Sequence, residues 1–314
     1  MSIADSNTRT SLLRQYRHPR YWLTWLGIAL LWLIAQLPLR CQVWLGTGLG
    51  RLALRWMPKR RLIADVNLRL CFPELTASQH ADLLRETFEN NAIGYFEAAS
   101  AWFTHTERYR SRTTVFGLRN LSAAQSRGKG VILLGGHFST LDMGGSLFNL
   151  FSESGSMQRD HDNPLFNAVM SRSREKFCQP LIGKKDLRTL FRVLRNGQTI
   201  WYATDQDYGA KGSVFAPFFG VPAATLTTTA RIATKTGAAV VPFSHFRTSA
   251  GHYEIYFAPA LQNYPSGNDI ADAAATNLAI ENAIRRYPAQ YLWMHRRFKT
   301  EPDGDNHRRY GGML

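Results

Sequence analysis

The residues best suited to do chemistry are His137 and Asp142, four positions apart in Val131-Ile-Leu-Leu-Gly-Gly-His137-Phe-Ser-Thr-Leu-Asp142-Met-Gly-Gly145. An imidazole can take a proton near neutral pH, and a carboxylate on its second ring nitrogen holds one tautomer, so the expected chemistry is proton abstraction by His137, with Asp142 orienting it. The four aliphatic residues before the glycines read as a strand buried on both faces. Gly135 and Gly136 permit a sharp turn, and Ser139 or Thr140 can cap a following helix. Such a unit delivers the histidine to the carboxyl end of a strand, where open α/β sheets bind ligands. Ser139 is a poor nucleophile candidate, because it stands in Gly-His-Phe-Ser-Thr-Leu rather than Gly-x-Ser-x-Gly.

Further polar groups recur after predicted strands. Arg159 precedes Asp-His-Asp-Asn-Pro164, where a guanidinium can pair with a phosphate or brace a carboxylate. Asp205, Asp207 and Lys211 lie in Thr204-Asp-Gln-Asp-Tyr-Gly-Ala-Lys-Gly212, at the end of a strand over Thr199–Ala203, and could line the same cleft as His137. His161, between Asp160 and Asp162, has no helical or ribbon ligand spacing, so no metal is expected, and no cofactor either. Arg296 and Arg297 follow Tyr291-Leu-Trp-Met-His295.

In this order the blocks resemble those of the lipid A biosynthesis acyltransferases, within the wider His-x4-Asp glycerolipid and lysophospholipid acyltransferase superfamily. Arg61-Leu-Ile-Ala-Asp-Val-Asn-Leu68 with Cys71-Phe-Pro-Glu74, the Asp205-x-Asp-Tyr-Gly segment and the Tyr291–Thr300 stretch carry the resemblance over about residues 61–302. It implies transfer of a fatty acyl chain from acyl carrier protein to a hydroxyl of a Kdo-bearing lipid A precursor. His137 and Asp142 would be catalytic, and Arg159, Asp205, Asp207, Lys211, Arg296 and Arg297 would bind substrate. Acylation of a lysophospholipid or glycolipid from acyl-coenzyme A is an alternative, as is a non-catalytic membrane lipid-binding protein.

The expected fold is α/β, a mixed central sheet flanked by helices as in glycerolipid acyltransferases, with an N-terminal hydrophobic membrane-anchoring helix. Strands are expected over 113–118, from Val131, over 199–203, 238–243 and 253–257. Helices are expected over 78–103, 118–125, 143–151, 171–176, 186–195, 225–236 and 272–287, and Ala216–Pro222 as an apolar loop of the kind that lines an acyl-chain groove. Residues 1–60 would hold a basic segment, the anchor and an amphipathic helix over Cys41–Met57; 61–305 the catalytic domain; 306–314 a mobile tail. The anchor is read from Tyr21–Leu39, which carries no formal charge and approaches the ~20 residues that cross a bilayer, although a helix lying in one leaflet is also open.

The 314 residues carry a formal net charge of +15. Residues 1–61 hold ten Lys plus Arg against the single acid Asp5, and those arginines are interleaved with Trp and Leu. That pattern favours an anionic inner-membrane surface and an acidic carrier protein over nucleic acid, for which no binding module is recognisable. The catalytic domain would face the cytoplasm. Cys41, Cys71 and Cys178 have no metal or redox spacing and read as reduced thiols.

Overall fold

The computed structural model describes residues 12–248, 252–304 and 308–311. In chain order the elements are α1 (Leu12–Gln15), α2 (Trp22–Ala35), α3 (Leu39–Trp56), α4 (Pro58–Cys71), α5 (Ala77–Phe103), β1 (Thr113–Phe116), α6 (Leu118–Gln125), β2 (Val131–Gly135), α7 (Leu141–Phe148), β3 (Gly155–Gln158), α8 (Pro164–Arg174), β4 (Leu181–Gly183), α9 (Leu187–Arg195), β5 (Thr199–Ala203), β6 (Ser213–Phe218), β7 (Val221–Leu226), α10 (Thr228–Thr236), β8 (Ala239–Arg247), β9 (Tyr253–Phe257) and α11 (Asp269–Ile284).

A seven-stranded sheet in the order β1-β9-β8-β2-β5-β3-β4 forms the centre. Its strands from β8 to β4 run parallel, while β9 pairs antiparallel with β8, so the sheet is mixed as expected. Successive side chains of β2 enter opposite layers, as a period of two requires. Ile132 and Leu134 join Ile200, Val240, Ile280 and Trp293, whereas Val131 and Leu133 join Met143, Leu147, Phe148 and Val241. Both faces are therefore covered, and the run of aliphatics in β2 follows from that.

Helix boundaries have local causes. Thr76 and Gln79 form a reciprocal capping box at the start of α5. Asn163 caps α8 ahead of Pro164, and Gly237, at φ 71°, ends α10 in the left-handed conformation. Gly46 and Gly50 let α3 lie close on α5; a methyl group at either would run into Ile93 or Glu89.

Several expectations need correction. The apolar loop expected over 216–222 is an antiparallel hairpin of β6 and β7, with Ala216, Phe218, Ala223 and Ala224 buried. Strand β8 continues past Pro242, which stands opposite Leu134 where the β2 ladder ends, into pairing with β9. The short strands β3 and β4 were not anticipated. Residues 308–310 form a 3-10 turn that buries Tyr310, whose hydroxyl bonds Asn67 at 2.7 Å and accepts from the Phe298 amide at 3.0 Å. The expected mobile tail is therefore held in that part, and the rest of it lies outside the described residues.

The spanning anchor is also corrected. Among the described residues no helix is long and apolar enough to cross a membrane. The apolar run is divided by the turn at Gln36–Pro38, leaving a 14-residue α2 of about 21 Å against a hydrocarbon core of about 30 Å. What α2 and α3 do present is exposed apolar surface, including Trp22, Leu23, Leu26 and Leu33 on one and Trp44, Leu49 and Trp56 on the other.

Candidate active site

Beyond β2 the chain turns so that the His137 side chain remains about one quarter exposed. Its Nδ1 lies 2.7 Å from Oδ1 of Asp205, and its own amide donates to Oδ2 of the same carboxylate at 2.8 Å. Asp205 follows β5, the parallel neighbour of β2, so two adjacent strand ends bring the acid to the imidazole. The Asp205 side chain is 1% exposed. Burial alone would raise its pKa, but the His137 charge and hydrogen bonds outweigh it and hold the carboxyl down at about 2. An acceptor-only carboxylate on Nδ1 puts the proton there and leaves Nε2 as the basic nitrogen. Among the described residues nothing is seen to hydrogen-bond Nε2.

Burial pulls the His137 pKa down, yet the Asp205 charge and hydrogen bond more than compensate, and the net shift is upward against a smaller opposing effect of Arg174. The pair therefore stabilises the fold in two windows. The histidine's share is complete below pH 6.5 and is lost as pH rises through its folded pKa. The aspartate's share is complete above pH 3.8 and is lost as pH falls towards 2.

Asp142, expected on the imidazole, is engaged elsewhere. It sits in the first turn of α7 and receives Arg174 Nε at 2.7 Å and Nη2 at 2.9 Å, a bidentate pair, with Trp102 Nε1 at 2.9 Å. The turn residues Ser139 and Thr140 do not cap α7. Thr140 Oγ1 instead lies 2.8 Å from Nδ1 of His245, a ring that burial drives down to about pKa 4.

The loop carrying His137 is pinned from its other side by the segment after α11. Leu292 N donates to His137 O at 2.9 Å and Ser139 N to Gln290 O at 2.7 Å. The Gln290 side chain bonds both backbone groups of Arg247 at the end of β8. Gly94 of α5 packs against the Ser139 carbonyl so closely that no methyl group fits. With Phe138 N bonded to Gly136 O, the amides of residues 137–139 are all committed, so they do not serve an oxyanion.

The other expected site residues divide into two groups. Arg159 is exposed and paired with Asp162 at 3.1 Å; it lies near enough to Tyr208 to pull that phenol's pKa down, against burial and the Asp205 charge, which raise it. Lys211 is exposed in the same loop, and Arg296 is half-buried. Asp207 and Arg297 instead turn inward. Asp207 receives Thr300 N at 2.8 Å, Thr300 Oγ1 at 2.9 Å and Gly209 N at 2.7 Å. Arg297, 1% exposed, donates to Ala224 O at 2.7 Å and Thr225 Oγ1 at 3.0 Å and lies over Phe218. These two fasten the segment after α11 to the β6–β7 hairpin and its preceding loop, and both side chains are buried.

Several neighbours of the imidazole had not been anticipated. Trp201 stands edge-on to the His137 ring at 6.0 Å between centroids. Beyond it a cavity of about 60 Å³ is lined by Leu133, Phe148, Met157, Phe177 and Phe243, with Asp142 and Arg174 at its wall. Arg174 carries no sequence signal, since it reads as one of two basic residues at the end of α8. Trp201 would have been suspected only from an aromatic residue two positions before the strand end.

An imidazole backed by a buried carboxylate stands at the carboxyl edge of a mostly parallel sheet, beside an apolar cavity, an arrangement that can take up a proton next to an apolar group. The family described as bacterial lipid A biosynthesis acyltransferase matches residues 9–300. The chain is 39% identical to the lipid A biosynthesis lauroyltransferase of Escherichia coli K12, over 91% of this chain and 94% of that protein. It is also 39% identical to the palmitoleoyltransferase of the same organism, over 93% and 96%, and 28% identical to its myristoyltransferase, over 93% and 91%. The chain belongs to the bacterial lipid A biosynthesis acyltransferase family, and it is an O-acyltransferase.

Proposed function

We propose that this protein transfers a fatty acyl chain from an acyl carrier protein thioester to a hydroxyl of a Kdo-bearing lipid A precursor in lipopolysaccharide biosynthesis. The observation that carries the reading is the His137 imidazole, its Nδ1 held by Asp205 and its Nε2 open. Nε2 takes the acceptor hydroxyl proton as the oxygen attacks the thioester carbonyl. The tetrahedral intermediate then collapses with loss of the thiolate, and the imidazolium returns the proton to sulfur. Asp205 stabilises the imidazolium, and general-base help of this kind supplies roughly 10² to 10⁴ in rate. No acyl-enzyme forms on the protein. Asp142 acts through Arg174, whose cation opposes resting protonation of His137 while the pair fixes the start of α7 beside the site.

Arg159, Lys211 and Arg296 supply positive charge for an anionic headgroup, with Tyr208, 56% exposed, near Arg159. The apolar cavity past Trp201 fits part of an acyl chain. The exposed tryptophans and leucines of α2 and α3, flanked by the basic residues of the first 61 positions, fit a monotopic seat on the anionic inner membrane with the site facing the cytoplasm. The test is incubation of the purified protein with acyl carrier thioester and a tetraacylated Kdo-lipid A precursor, read by mass spectrometry. Addition of one acyl mass supports the reading; no addition, with acylation of a lysophospholipid from acyl-coenzyme A instead, overturns it.

A further inference from the structure

Parallel topology puts the carboxyl ends of β2, β5, β3 and β4 along one rim, in that order. His137 follows the first, Asp205 the second, Arg159 the third and Lys184 the fourth. Lys184 is fixed in this row, because its amide donates to Gln158 O at 2.9 Å, next to Arg159. With neighbouring strands about 4.8 Å apart, the β4 end lies about 14 Å along the rim from the strand that carries the catalytic base.

The chain leaving β4 is strongly basic. From Lys184 to Arg195 it carries Lys184, Lys185, Arg188, Arg192 and Arg195 against the single acid Asp186. All five cations are exposed. Asp186 is the cap of α9, accepting from Thr189 N at 3.0 Å, and as the single acid it offsets one of the five charges and leaves the row strongly positive. Arg188, Arg192 and Arg195 recur at helical spacing on the side away from the buried Leu190, Val193 and Leu194. Leu187, 42% exposed, is the apolar residue among them at the rim.

We propose that this surface, Lys184, Lys185 and the outer face of α9, docks the acidic carrier protein that presents the acyl thioester. The inference rests on the donor reading above and adds where that donor sits. A membrane-lying helix needs an exposed apolar stripe, which α2 and α3 have, whereas the apolar side of α9 is buried in the core. A row of cations around one exposed leucine instead matches an acidic protein helix, and the charge steers the encounter. From the rim, a flexible arm on the carrier reaches past Arg159 to His137 while the α2–α3 surface stays on the lipid. Carrier and acceptor thus approach the imidazole from different directions.

The test uses the full-length protein with Lys184→Glu, Lys185→Glu and Arg188→Glu combined. Acylation is measured against concentration of acyl carrier thioester at several salt concentrations, alongside binding to phosphatidylglycerol-containing vesicles. The expected result is a KM for the carrier donor raised at least tenfold, a flattened salt dependence, and unchanged kcat and vesicle binding. An unchanged carrier KM would overturn the proposal, and so would a loss confined to vesicle binding, which would make the row a lipid contact. Failure of the donor reading is separable, because the wild-type protein would then turn over no carrier thioester at all.

Discussion

Asp142 and Asp205 are both buried carboxylates within reach of the His137 loop, yet their surroundings differ. Asp142 has every oxygen spent on Arg174 and Trp102, and its partner is nearly as enclosed as itself. Asp205 is just as enclosed, but its partner is an imidazole with one edge open. A buried ion pair with no titrating member on the open side holds structure, whereas one that ends on a partly exposed histidine can move a proton. Proximity in sequence favours Asp142, and the sheet favours Asp205, because adjacent parallel strands β2 and β5 end side by side.

That contrast can be broken most severely at the shared loop. His137→Ala removes the base, and acyl transfer is expected to fall by roughly 10³-fold, with a lowered melting temperature because the buried Asp205 carboxylate loses its partner. A steady-state assay with a melting curve checks both. Asp205→Asn should cost roughly 10²-fold in rate. Without the aspartate charge, burial and Arg174 act on His137 unopposed, so the acid limb of the pH–rate profile moves to lower pH.

Asp142→Asn should act on the fold first. Leaving the Arg174 cation under-compensated is expected to cost about 3 kcal/mol and lower the melting temperature by several degrees, with whatever activity remains keeping the wild-type acid limb. Calorimetry together with the pH profile separates the two carboxylates. Gly94→Ala tests the loop from behind: the added methyl meets the Ser139 carbonyl, so kcat should drop several-fold while the acceptor KM holds. The smallest effect belongs to Arg159→Ala, at the exposed rim, where the expected change is a rise of a few-fold in acceptor KM alone.

Much of this molecule was readable before any coordinates. The unbroken aliphatic run of β2, the Thr199–Ala203 strand and the alternating Tyr253–Phe257 strand carry their own periodicity, and the glycine at 237 marks a helix end. β3 and β4 escaped because they are four and three residues long, too short to show a period. The length of α2 was misjudged because uncharged sequence was counted across the turn that Pro38 completes. At the site His137 was legible from its place after a strand and a glycine turn, and Asp205 from the next strand end. Their pairing was not, since it depends on strand order rather than spacing. The family resemblance marks Asp207 and Arg297 as binding residues; here hydrogen bonds to Thr300, Gly209, Ala224 and Thr225 let both be buried, with Nε of Arg297 left without an acceptor among the described residues.

The central claim is that the carboxylate governing the base is Asp205. It is tested most directly by the pH dependence of kcat/KM for the wild-type, Asp205→Asn and Asp142→Asn proteins. The account predicts a wild-type acid limb above pH 6.5, displaced downward in Asp205→Asn and unmoved in Asp142→Asn. A limb that shifts with Asp142→Asn and stays in place with Asp205→Asn would contradict it.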